Sequence, residues 1–272
     1  MYLRGEPPQL GEVVAERFAI ERVLGHGGMG LVVAARHLEL GVLVALKFPL
    51  PELANHPERC ARFVREARAA IQIRSEHVAR VMDLSKLADG TPFIVMEYLE
   101  GATLSDILSE RGPLPVGEAI GILLQACDAL AEAHAIGIVH RDLKPSNMSL
   151  CHKSGGGTIL KVMDFGISKV QAEMGDGGDV SITKTGGLVG SPAYMSPEQI
   201  CDSKNVDART DVWSLGIILF EMLTARRPFD NHSVGGLLSA IASARAVGFE
   251  RRVADRASRA PRTRGARALQ RT

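Results

Sequence analysis

The chain has 272 residues, 46% of them apolar and 23% charged, which suits a soluble globular protein of one large domain or two modest lobes. Its net charge of +1 hides an asymmetry: residues 245–272 hold nine Arg against Glu250 and Asp255, a net +7 that leaves −6 on the preceding residues and no basic stripe for nucleic acid. The cysteines (Cys60, Cys127, Cys151, Cys201) form no CxxC pair and read as thiols in a reducing cytoplasm, no signal-peptide core opens the chain, and the longest apolar run, Val212 to Leu223, is too short to cross a bilayer.

Residues 1–10 read as a tail. From 18 to 48, FAIERVL, LVVAARH and VLVALKF alternate as strands of an antiparallel sheet. Gly25, Gly27 and Gly30 between the first two fit GxGxxG, which serves equally as a hairpin turn or as backbone passing close over phosphates, where a Cβ would block the approach. A dinucleotide fold would need a helix next, and LVVAARH is a strand. Lys47 ends the third strand, a common place for a solvated lysine. In residues 58–73, Phe63, Ala67, Ala70 and Ile71 share a helical stripe with Glu66 beside it. HVARVMDL and FIVMEYLEG are strands on either side of a DGTP turn, and Thr103 is a helix N-cap candidate. In the helix from Pro115 to Ala135, helical spacing assigns Ile120, Leu123, Leu124, Cys127, Leu130 and His134 to the core. CHKSGGGT is a hairpin loop, since one Cys and one His do not make a metal site, and ILKVMD is the strand that delivers Asp164. Residues 167–198 show no periodicity, and a long structureless segment in a compact domain tends to be functional. DARTDVWSLGIILFEMLTARRPF is a buried helix with Asp211 at its start, where an N-cap role would suffice.

The chemistry concentrates between His140 and Gly166, in HRDLKPSN and VMDFG. Asp142 suits the acceptance of a hydroxyl proton, Lys144 the offsetting of charge on a transferring group, and Asn147 and Asp164 the supply of hard oxygens to Mg²⁺. Together the four side chains match the needs of phosphoryl transfer.

HRDLKPSN followed by DFG resembles the catalytic and metal-binding loops of eukaryotic-type (Hanks-type) serine/threonine protein kinases, and GHGGMG and GSPAYMSPEQ resemble the bacterial branch of that family. The resemblance implies an α+β bilobal fold: a small antiparallel-sheet N-lobe with one main helix over 11–97, and a larger, mostly helical C-lobe over 98–244. It implies that Leu24, Gly25, Gly27, Gly30, Val32 and Ala45 cover ATP, with Met96 as gatekeeper and the backbone of Glu97 and Leu99 on the adenine edge. Lys47 would contact phosphates and pair with Glu66. Asp142 would be the base and Lys144 its electrostatic partner; Asn147 and Asp164 would bind Mg²⁺, or alternatively Mn²⁺. His140, Arg141, Phe165, Gly166, Ser191 and Asp211 would support them, Ser191 by bridging Asp142 and Lys144. Thr183 and Thr185 in SITKT sit at the family's phosphosite spacing, with Arg141 as the phosphate's receiver. Ser/Thr-containing proteins would be the substrates, with self-association for autophosphorylation.

The pattern fails after residue 244. The Arg-rich segment 245–272 shows no apolar face, so a C-lobe lacking its last helices is expected, with Glu198 buried and deprived of its arginine. That departure alone favours an alternative, a catalytically impaired pseudokinase or scaffold. GSPAYMSPEQ, a peptide-positioning segment, argues against a small-molecule kinase.

Overall fold

The computed structural model describes residues 9–27, 30–50, 57–153, 155–165, 192–201, 206–231 and 233–243. Period-two alternation builds the first lobe. Strands β1 (Val13–Val14), β2 (Phe18–Gly27), β3 (Gly30–His37), β4 (Leu43–Phe48), β5 (Val81–Lys86) and β6 (Pro92–Glu97) form an antiparallel sheet in the order β1-β2-β3-β4-β6-β5. Leu31 lies opposite Phe48 and Val33 opposite Leu46, and these side chains join Phe93 and Val95 in a buried core on one face. The intervening residues take the other face: Val32 opposite Lys47, Ala34 opposite Ala45, then Ile94 and Met96 across from Lys47 and Ala45. Helix α1 (Pro57–Ala70) packs Phe63 and Ala67 against Ile94 on this second face. The apolar stripe is shorter than expected, because the helix stops at Ala70 and Ile71 is 45% exposed.

In the second lobe a small sheet, β7 (Gly101–Thr103), β8 (Met148–His152) and β9 (Thr158–Val162), accompanies helices α2 (Leu104–Arg111), α3 (Val116–Ala135), α4 (Pro197–Cys201), α5 (Arg209–Thr224) and α6 (Val234–Ala242). Thr103 caps α2 as expected: its hydroxyl accepts the Asp106 N–H at 3.2 Å and the Asp106 carboxylate accepts the Thr103 N–H at 3.1 Å. The lobes are laced together where Val162 donates to the His77 carbonyl and Ala79 donates to that of Val162, each at 2.8 Å.

Helix α3 buries only part of the face its large residues indicate. Leu130 is buried, Leu123 packs against the core and His134 is half-buried, as expected, whereas Ile120, Leu124 and Cys127 are exposed. The rest of the buried face is made of Ala119, Ile122, Ala126, Ala129 and Ala133. Small side chains let α3 and α5 approach closely in the core they share, and an alanine stripe carries little hydropathy signal.

Glu198 also departs from expectation. It is exposed on α4, close enough for its charge to help raise the Arg209 pKa, so no buried unpaired carboxylate arises. Asp211 is not the cap of α5: that position is Ala208, and the Asp211 side chain turns inward. No described helix is long and apolar enough to cross a membrane. Residues 1–8, 28–29 and 245–272, and the long segment containing Gly166, Thr183, Thr185 and Ser191, lie outside the described residues.

Gly30 is dictated by packing on the protein itself. Its φ is +122°, and a Cβ there would stand 2.0 Å from the Phe48 carbonyl oxygen, whereas a Cβ on Gly25 would meet nothing within 4 Å. Gly30→Ala is therefore expected to cost about 1–3 kcal/mol, a fall in Tm of several degrees in thermal denaturation, with Gly25→Ala nearly neutral.

Candidate active site

The cleft between the lobes is spanned by one ion pair. Lys47 Nζ donates to Asp164 Oδ1 at 2.6 Å; the lysine side chain is 1% exposed and the carboxylate 19%. Strand β4 places Lys47 on the face opposite the upper core, so its apolar strand ends in the cleft rather than in water. Burial by itself would raise the Asp164 carboxyl. The charge and hydrogen bond of Lys47, with His140 and then Lys144 adding to them, hold it below the ordinary carboxylate value.

A second cluster lies below. Lys144 Nζ donates to Asp142 Oδ2 at 2.7 Å, and Asn147 Nδ2 donates to the Asp142 carbonyl at 2.8 Å and to its Oδ2 at 3.3 Å. Asn147 directly precedes β8, Asp164 follows β9 by two residues, and Met163 donates its N–H to the Asn147 carbonyl at 2.8 Å. The hairpin thus brings Asn147 and Asp164 to the same end, beside the Asp142–Lys144 pair. No cluster of three or more His, Cys, Asp or Glu able to hold a metal occurs among the described residues.

Both acidic centres sit on unusual backbone. Asp164 has φ 64° and Arg141, next to Asp142, has φ 67°. A non-glycine residue held there costs about 1–3 kcal/mol and persists only when its surroundings enforce it. Asp211, fully buried, supplies that enforcement by accepting the N–H groups of His140 and Arg141 at 2.9 Å each and His134 Nε2 at 2.7 Å. His140 Nδ1 accepts the Asp142 N–H at 3.3 Å, which leaves the ring proton on Nε2 to be donated to the Met163 carbonyl at 2.8 Å. One imidazole therefore ties the segment before Asp142 to the segment before Asp164. Phe165, 3% exposed, packs on it at 4.8 Å between ring centroids.

Along the linker, the Glu97 N–H is taken by the Arg80 carbonyl and its carboxylate by Lys161 at 2.8 Å. Leu99 has no backbone hydrogen-bond partner among the described residues. Ala45 is buried beneath the sheet, Val32 and Met96 are half-buried, and Leu24 is 42% exposed.

The family described as "Protein kinase domain" matches residues 18–261, most of the chain. This chain belongs to the protein kinase family. Serine/threonine-protein kinase pkn3 of Myxococcus xanthus is 38% identical over 227 residues, covering 84% of this chain and 41% of that protein. Serine/threonine-protein kinase PknB of Mycobacterium tuberculosis (strain ATCC 25618 / H37Rv) is 40% identical over 223 residues, covering 81% of this chain and 34% of that one. The chain thus spans between about a third and two-fifths of the length of these curated relatives. A crystal structure of the Mycobacterium tuberculosis PknI kinase domain superposes with a TM-score of 0.63 at 28% identity, covering 87% of this chain and 86% of that one. The kinase fold, with its antiparallel-sheet N-lobe and helical C-lobe, is that anticipated from the sequence.

Lys47, Asp142, Lys144, Asn147 and Asp164 converge in this kinase cleft, with His140, Arg141, Phe165 and Asp211 packed behind them. Lys47 pairs with Asp164; Glu66 is carried on α1, but its side chain lies outside the described ones. Sequence reasoning assigned His134 to packing or capping and gave Gln199 no role. His134 bonds to Asp211 and Gln199 to the Arg141 carbonyl, contacts that spacing along the chain does not encode.

Because the folded Asp164 pKa is depressed, its contribution to stability is fully present above the unfolded value, about pH 4, and is lost as pH falls through the folded value. Asp164→Asn removes the carboxylate that pairs with buried Lys47 among the described residues and is expected to cost about 3–5 kcal/mol near pH 7. In denaturant titrations the gap to wild type should narrow below about pH 4.

Proposed function

We propose that the chain is an ATP-dependent protein kinase that transfers the γ-phosphate to Ser or Thr hydroxyls, with residues 11–97 and 98–244 as its lobes. The convergence of the Lys47–Asp164 pair with the Asp142–Lys144–Asn147 cluster in one cleft carries this reading. The names of the relatives support the same activity.

The residues fit the nucleotide. Small or half-buried side chains (Val32, Ala45, Met96) offer an apolar slot under the sheet beside Leu24, and the open space over Gly25 leaves room above it. Leu99 has an N–H and a carbonyl free of backbone partners among the described residues, as an adenine edge requires, and the Glu97 carbonyl adds an acceptor. They fit a divalent cation as well. Lys47 occupies Asp164 Oδ1 and Asp142 engages the Asn147 amide nitrogen, which reserves Asp164 Oδ2 and Asn147 Oδ1 as hard-oxygen ligands. Mg²⁺, with Mn²⁺ as an alternative, would neutralise phosphate charge there.

Asp142 receives the substrate hydroxyl proton on a carboxylate aligned by Asn147 and His140. Lys144, already at that carboxylate, places its charge beside the transferring group. Lys47 moves from Asp164 towards phosphate oxygens, with Glu66 as its second carboxylate and Gly25, Gly27 and Gly30 forming the lid. Thr183 and Thr185 are the phosphosites assigned to autophosphorylation in a self-associated pair, with Arg141 as their receiver, Ser191 beside Asp142, and Gly166 beside Phe165. The chain's place is the cytoplasm, where protein substrates and ATP meet.

Transfer of labelled phosphate to dephosphorylated casein should depend on Mg²⁺ and fall by about 10²–10⁴-fold in Asp142→Asn, with modification of Thr183 or Thr185 in the active wild type. ATP binding without transfer by correctly folded wild type would instead favour the pseudokinase reading.

A further inference from the structure

Gln199, on α4, has no place in the chemistry described so far, yet it holds the peptide that carries the catalytic aspartate. That peptide joins Arg141 to Asp142. Its carbonyl accepts Gln199 Nε2 at 2.7 Å, and its N–H donates to His140 Nδ1 at 3.3 Å. The preceding N–H, of Arg141, is fixed on Asp211. With Arg141 at φ 67°, rotation of the peptide towards ordinary backbone would swing the Asp142 side chain, and the Gln199 bond opposes that rotation on the carbonyl side.

The orientation of the Gln199 amide is itself determined. Its Oε1 accepts the Ser196 N–H at 3.0 Å and the Thr210 hydroxyl at 2.7 Å, so the NH₂ group is the end that meets Arg141. Ser196 and Thr210 also bond to each other at 2.7 Å, both fully buried. The network joins three parts of the C-lobe: the segment 192–201, the start of α5 beside Asp211, and the catalytic loop. The segment is anchored separately through Tyr194, whose hydroxyl donates to Glu221 at 2.6 Å.

We propose that Gln199 is a positioning residue for Asp142, coupling the docking of segment 192–201 to the aim of the catalytic base. When that segment sits against α5, the Arg141–Asp142 peptide is gripped at both ends; when it lifts, the carbonyl grip is lost. The inference rests on the kinase reading for the role of Asp142, and on the hydrogen bonds alone for the grip.

Gln199→Glu tests it in the full chain. Glutamate is isosteric and keeps an oxygen for Ser196 and Thr210, but sets a carboxylate oxygen against the Arg141 carbonyl, replacing attraction with repulsion. With casein as acceptor, kcat should fall about 10- to 100-fold while KM for ATP stays within about twofold, since displacement of a reacting group acts on the chemical step. Amide exchange by mass spectrometry should quicken in the peptide covering residues 140–144. In an Asp142→Asn background the same change should add no further loss, whereas a general structural defect would add its full effect. Gln199→Met, equally long and without either polar end, removes the same grip without adding a charge and should change kcat and exchange in the same direction. Unchanged kcat and unchanged exchange at 140–144 in both variants would overturn the proposal, as would full additivity with Asp142→Asn. The exchange readout needs no phosphate transfer, so it separates failure of this inference from failure of the kinase reading.

Discussion

A buried lysine facing a half-buried aspartate, Lys47 on Asp164 at 2.6 Å, is the constraint around which both lobes are arranged. Each charge taken singly out of water would cost several kcal/mol, and such pairs repay that cost only with good geometry and further hydrogen bonding. The pair is therefore a poor device for stability, and an apolar contact would serve the fold as well. What it preserves is charge of both signs in a cleft shielded from bulk solvent, where each charge acts more strongly than in water. The lysine comes from a strand whose alternate residues fill the upper core, and the aspartate from the end of a hairpin in the lower lobe. Neither lobe alone could assemble the pair.

The lower lobe bears a second cost, in backbone strain. Arg141 and Asp164 both adopt left-handed conformations without being glycine, and the groups that enforce them form one connected set. Asp211 takes two successive N–H groups, His140 bridges the approaches to Asp142 and Asp164, and Gln199 closes the carbonyl side. His134 completes the anchor by bonding to the same Asp211 oxygen as the His140 N–H. Because these bonds originate on α3, α4 and α5, helix packing well away from the cleft determines where the carboxylates point. On the proposed function, preorganisation of this kind would spare these groups from being reordered at the moment of transfer.

The residues legible in the sequence were those whose chemistry is carried by type and spacing. Asp142, Lys144, Asn147 and Asp164 fall within a short span, so the set could be read before any fold was known. Strand alternation around Lys47 was equally clear, although only the sheet register shows that its solvated-looking end faces a cleft. The buried face of α3 was legible only in part: Leu123 and Leu130 reach the core, but the alanine stripe beside them is quieter than Leu124 and Ile120, which stay exposed. Glu198 was misplaced for a related reason: a motif position carries no information on burial, and α4 turns this side chain to solvent near Arg209. Gly30 was read as part of a hairpin turn or of a loop passing over phosphates, and the Phe48 carbonyl by itself already forbids a side chain there. His134 and Gln199 act through long-range hydrogen bonds, which spacing along the chain does not encode.

The most direct measurement of the central claim is a crystal structure of the chain with Mg²⁺ and a non-hydrolysable ATP analogue. The phosphates should lie against Lys47 and the cation should take oxygens from Asp164 and Asn147 at about 2.0–2.1 Å, with the adenine on the backbone of Leu99. A nucleotide bound elsewhere, or in the cleft with the Lys47–Asp164 pair intact and no cation at Asp164, would contradict it.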